Sequence, residues 1–163
     1  MPKSISLTSL SIILGCLFIF VGLSKTTPNV NSIMYENWRE EFGRYNKVFP
    51  LYRTTGWRPL AKNYRLIVGL MEVICGFMLL LIPIERIKFY ATIILLNIMI
   101  GALYTHYYLM DSFEMKMPSL FLAFLLISRL IISYLEDRRE RVANELKRMR
   151  KLIDDYESME KTE

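Results

Sequence analysis

Arg65-Leu-Ile-Val-Gly-Leu-Met-Glu-Val-Ile-Cys-Gly-Phe-Met-Leu-Leu-Leu-Ile-Pro83 decides the fold. The stretch is long and apolar enough for a helix to cross the hydrocarbon core of a bilayer, and Pro83 is placed to end it. At its middle stands one carboxylate, Glu72, which hydrocarbon penalises by several kcal/mol. Gly69 and Gly76 lie on the same helical face as Glu72, three residues before it and four after. A face so small and polar suits a neighbouring helix better than lipid.

Three more blocks reach crossing length, so the spans fall at about 5–24, 64–82, 87–108 and 119–135. Of the 163 residues, 53% are hydrophobic and 23% charged, so the two kinds must be segregated along the chain. A helix buried in a soluble protein rarely stays apolar on all sides for this long. The expected fold is an all-α membrane protein. It comprises a four-transmembrane-helix bundle, an amphipathic helix in the first loop and a helical C-terminal tail. Residues 1–135 form the membrane domain and 136–163 a charged tail. The run after Pro2-Lys3 is too long for a signal-peptide core and has no small-x-small site before Lys25-Thr-Thr-Pro28, so it reads as a retained first span.

The net charge of +5 comes largely from residues flanking the apolar blocks, where anionic headgroups explain them better than nucleic acid does. Membrane lipid is therefore an expected partner and nucleic acid is not. Cys16 and Cys75 both fall inside spans and read as packing thiols, with a contact between them left open. No metal cluster, phosphate-cradling loop or nucleophile with a nearby base emerges, so neither a catalytic residue, a metal nor a cofactor is expected.

In span one, Ser4, Thr8, Ser11, Gly15, Gly22 and Lys25 project along one side as a small, polar stripe. In the first loop, Met34, Trp38, Phe42, Tyr45 and Phe49 recur at helical spacing over about 32–49, with charges on the other faces and Pro50 as a stop. That helix is either a lid on its own bundle or a surface for a partner. A turn at Gly56-Trp-Arg-Pro59 leads into span two. In span three, Asn97 shares a side with Gly101, Tyr104 and Tyr108, a helix-contact pattern, while His106 lies roughly opposite, near the membrane interface.

Span four carries Arg129. At ~1.5 Å per residue, Glu72 lies ~12 Å and Arg129 ~16 Å from the same membrane surface, so a buried Glu72–Arg129 pair is expected, with Lys25 as second choice for Glu72. After Leu135, the residues Val142, Leu146, Met149, Ile153 and Tyr156 recur at coiled-coil spacing over only about two heptads. The tail is thus either a polar extension of span four or the seam of a homodimer. An even number of spans puts both termini on one side. Lys3, Arg86, Lys88 and the basic run from Arg138 to Lys151 mark that side as cytosolic.

Gly69-Leu-Met-Glu72-Val-Ile-Cys-Gly76 with Pro83 resembles the second span of the novel acetylcholine receptor chaperone family, small four-span proteins of the DoxX-like group. The resemblance continues in Phe20-Val-Gly-Leu-Ser-Lys25-Thr-Thr-Pro28, in His106, in Ser128-Arg129-Leu-Ile-Ile and in Glu136-Asp-Arg138. The tail beyond Arg138 departs from it. The resemblance implies an endoplasmic-reticulum membrane chaperone, not an enzyme, whose partners are nicotinic acetylcholine receptor subunits. Lys25, Glu72, His106 and Arg129 fall on its shared polar positions. The expected client surface is the loop helix (Met34, Trp38, Phe42, Tyr45, Phe49) with the small faces, Ser11, Gly15 and Gly22 among them. Two alternatives stand beside it. One is a DoxX-like membrane oxidoreductase holding a quinone or lipid near Glu72 and His106. The other is an export cargo receptor, with Arg148-Met-Arg150 as an arginine-type retention signal.

Overall fold

The computed structural model describes residues 5–49 and 58–160, the last seven of these as backbone alone, and all regular structure within them is helical. Helix α1 is Ile5–Thr26, and α2 is Ser32–Tyr45, prolonged by a 3-10 turn at Asn46–Val48. Helices α3 (Ala61–Leu81), α4 (Glu85–Tyr108) and α5 (Phe113–Glu160) follow. Lys3, Ser4, Pro50, the turn residues Gly56 and Trp57, and the side chain of Tyr156 lie outside the described residues. Helices α1, α3, α4 and α5 are long and apolar enough to cross a membrane, so the chain is an all-α, multi-pass membrane protein.

Helices α1 and α3 touch backbone to backbone. A Cβ on Gly22 would lie 2.6 Å from the Gly69 carbonyl oxygen and 2.8 Å from Val73 Cγ2, and one on Gly15 would lie 2.9 Å from the Gly76 carbonyl oxygen. Small residues let membrane helices approach this closely, because lipid supplies no hydrophobic force to press them together and contact area must do it. The contacts set an antiparallel register in which 15 faces 76 and 22 faces 69. By that register position 26 lies beside 65, so α3 begins four residues, ~6 Å, beyond the end of α1.

Helix α2 sits over that step. Its start is fixed by Asn31, whose side-chain oxygen accepts from the Met34 N–H at 3.0 Å. Phe42 and Tyr45 are buried, and the Tyr64 ring of α3 lies 5.2 Å from Phe42 and 5.3 Å from Phe49. Below it the apolar core gathers Leu14 and Phe18 of α1, Cys75 and Leu79 of α3, Leu95 of α4 and Leu126 of α5.

The start of span four differs from expectation. Span four enters at Phe113, six residues before 119, and carries Pro118 inside the helix, where the missing N–H forgoes one backbone bond. The helix then runs unbroken past 135 to Glu160, the expected polar extension of span four. The face holding Asn97 also differs. Asn97 is exposed and donates to its own Ile93 carbonyl at 2.9 Å, and a Cβ on Gly101 would meet nothing within 4 Å. It points away from Leu95 and Met99, the buried side of α4. What reads as a helix-contact pattern is an outward-facing surface of the chain.

Candidate functional site

Three clusters of buried polar groups are built into the bundle. In the first, Lys25 Nζ donates to both oxygens of Glu72, at 2.5 and 2.7 Å, and both side chains are essentially closed to solvent. The register explains the pairing: Lys25 lies beside position 66 and Glu72 beside position 19, one turn to either side of the Gly22–Gly69 contact, and each side chain leans toward its own N-terminus and so toward the other. Helix α2 closes the pair from above. The Trp38 ring lies 4.7 Å from Lys25 Nζ, and its Nε1 donates to Ser24 Oγ at 3.2 Å. A cation–π contact is strengthened when desolvated, as here.

The Glu72–Arg129 pairing is therefore corrected. Span four starts at Phe113, so Arg129 lies ~24 Å from its entry rather than ~16 Å. It meets α1 at Ser11, beside position 80 of α3, about two turns beyond Glu72. In this second cluster the Arg129 fork is spread over three partners. Nε donates to Ser11 Oγ at 2.9 Å, Nη1 to Thr92 Oγ1 at 2.9 Å and Nη2 to Glu85 Oε2 at 3.2 Å. The Ser11 hydroxyl in turn donates to the Leu7 carbonyl, and that of Thr92 to the Lys88 carbonyl, each at 2.7 Å. Each hydroxyl thus accepts one bond and donates another, which leaves the buried guanidinium well satisfied.

The third cluster joins α2 to the far end of α4. His106 Nδ1 lies 2.9 Å from Asp111 Oδ2, Arg44 pairs with the same carboxylate, and His106 Nε2 lies 3.5 Å from the Tyr45 hydroxyl. Tyr45 donates to Glu41 at 2.9 Å. The turn that returns Asp111 to His106 is a helix C-cap with Met110 in the left-handed region at φ 53°. Asp111 N–H donates to the His106 carbonyl and Met110 N–H to that of Tyr107, both at 3.2 Å. Burial raises the Asp111 pKa, but the hydrogen bonds from His106 and Arg44 outweigh it and hold the carboxyl below its ordinary range. Burial, and then the Glu41 carboxylate, push the Tyr45 hydroxyl well above the phenol range.

Of the residues singled out in the sequence, Lys25, Glu72, Arg129 and His106 are all buried, but in three separate places. Ser11, Gly15 and Gly22 are buried inside the bundle, and Phe42 and Tyr45 beneath α2, so these members of the expected client surface are covered by the chain itself. Met34, Trp38 and Phe49 are half-buried. Cys16 is exposed and Cys75 buried, both as free thiols. Sequence reasoning missed Arg65, a flanking cation that is in fact buried, its guanidinium 4.1 Å from the Tyr35 ring centre and donating to the Tyr35 hydroxyl at 2.9 Å. It also missed Thr92, Glu85 and Asp111. Thr92 shares the Lys88 side of its helix, a one-turn signal that could have been read.

A four-span helical bundle with polar side chains buried between its spans is the class that fold and site define. Residues 9–128 match the DoxX-like family, and the chain belongs to it. Among the proteins it is similar to are the novel acetylcholine receptor chaperones of Mus musculus and Xenopus tropicalis. Each is 30% identical over 132 residues, which is 81% of this chain and 77% and 80% of theirs. That of Macaca fascicularis is 29% identical over the same length.

Proposed function

We propose that the chain is a membrane chaperone, not an enzyme, that promotes folding, assembly and surface delivery of nicotinic acetylcholine receptor subunits. It would act in the endoplasmic reticulum, with both termini cytosolic and the first loop lumenal. The observation that carries this is the likeness, over most of the chain, to relatives named as acetylcholine receptor chaperones. A chaperone of membrane clients needs intramembrane surface that a client's proper neighbour can later replace. With Ser11, Gly15 and Gly22 engaged inside, the outward face of α4 is the better candidate: Asn97 exposes an amide there and Gly101 leaves room for a second helix. The oxidoreductase reading needs Glu72 and His106 around one cofactor. Each is instead closed by its own partner, Lys25 for Glu72 and Asp111 for His106, which supports the chaperone reading.

The test is co-expression with receptor subunits, read as surface binding of a receptor ligand. The chain is expected to raise that signal several-fold and Asn97→Leu to reduce the gain, with equal amounts of chaperone in the membrane. No gain with any receptor subunit tried would overturn the reading.

A further inference from the structure

The long helix α5 carries one exposed apolar face from mid-membrane to Ile153 in its tail. Phe124, Ile131, Val142, Leu146, Met149 and Ile153 are all more than half exposed, and Leu135 nearly so. Phe124, Leu135 and Leu146 recur at intervals of eleven residues, as do Ile131, Val142 and Ile153. An eleven-residue spacing is close to a whole number of helical turns, so both sets stay on one side of a nearly straight helix. That side is opposite Leu126 and Arg129, which face the bundle. The stripe in the tail is therefore the continuation of the lipid-facing side of span four.

We infer that this face is the seam of a parallel homodimer, α5 against α5, in which membrane span and tail pair as one surface. The tail leaves the bundle as an unbroken continuation of the span, ~38 Å long, so it projects from the membrane and cannot lie flat on it. An occupant that covers the stripe from Phe124 to Ile153 needs a membrane helix continuing straight into an aqueous one. A second copy has that helix, and its identical insertion makes the pair parallel. In register, Val142, Leu146, Met149 and Ile153 each meet their own counterparts. Glu145 and Arg150 flank the seam at the g and e positions, and these two positions face each other between parallel helices. Each Glu145 thus meets the second copy's Arg150, so the charges complement twice. The tail alone offers about two heptads, too few for a firm coiled coil, and the membrane half supplies the remainder. Ser128, small and on the same side, lets the two spans approach. Arg138 and Arg139 interrupt the stripe at headgroup depth, where lipid phosphate neutralises them.

The inference does not rest on the client reading, and its test leaves receptor maturation aside. The full chain carrying Cys16→Ser, with Cys75 retained in the core, receives one new cysteine at a time in native membranes. Met149→Cys, Leu146→Cys and Ser128→Cys are expected to give a disulfide-linked dimer at least tenfold more than Glu140→Cys, which lies off the seam. Glu145→Arg or Arg150→Glu alone should lower the Met149→Cys yield several-fold, and the two together should restore it. Overturning results are equal yields at all positions, a crosslink to a different protein, a single-copy mass by photobleaching, or a mass of three or more copies.

Discussion

Lys25 and Arg129 are both buried cations in one bundle, and the protein neutralises them differently. Lys25 meets a full carboxylate at close range from the helix that touches its own backbone to backbone. Arg129 divides its fork between two hydroxyls and a carboxylate, drawn from α1 and α4. A compact ammonium suits a single ion, whereas a planar guanidinium with five donors suits several acceptors in fixed directions. The first arrangement locks one helix pair together. The second ties three helices at a single side chain, so α5 is held largely by Arg129 and the apolar residues around it.

The difference predicts a hierarchy of damage. Glu72→Leu strands the Lys25 charge and should cost ~3–5 kcal/mol, read as loss of monodisperse protein in a detergent melting series. Adding Lys25→Met should recover most of that loss, whereas adding Arg129→Gln should not. Next, Gly22→Val drives a side chain into the Gly69 carbonyl and should cost ~2–3 kcal/mol in the same melt. Gly101→Ala, where nothing lies within 4 Å, should instead gain ~1 kcal/mol from helix propensity. Arg129→Lys keeps the charge but reaches fewer acceptors, and a loss of ~2 kcal/mol is expected, with hydrogen exchange rising first at the α4–α5 contact. A second stabilising change matches Gly101→Ala in size. Met110→Gly relieves a left-handed residue and should stabilise by ~1 kcal/mol, seen as slower exchange of the Asp111 amide.

The spans were legible because a twenty-residue apolar run has few other uses, and the lid helix because Trp38, Phe42, Tyr45 and Phe49 keep helical spacing between a cap and a proline. Glu72 was legible as an acid that needs a partner inside the bundle. Its partner Lys25 ranks only second in the sequence, because depth counted from residue 119 favours Arg129; the helix starts at Phe113, and six residues are enough to move Arg129 into a different layer. The glycine stripe read correctly as a contact face but not as an internal one, since sequence spacing gives a face and not its neighbour. Asn97 failed the other way, where a helix-contact pattern proved to point outward. Asp111 and Arg65 were hidden because their burial depends on α2 folding back from a distant stretch of chain.

The step between α1 and α3 has a consequence for the membrane around the protein. Beneath α2 it holds Lys25 and Arg65, both buried and both touching aromatic rings of that helix. A chain whose first loop is held open would lose both rings at once and admit water and headgroups to the Lys25–Glu72 pair, so α2 seals this end of the bundle.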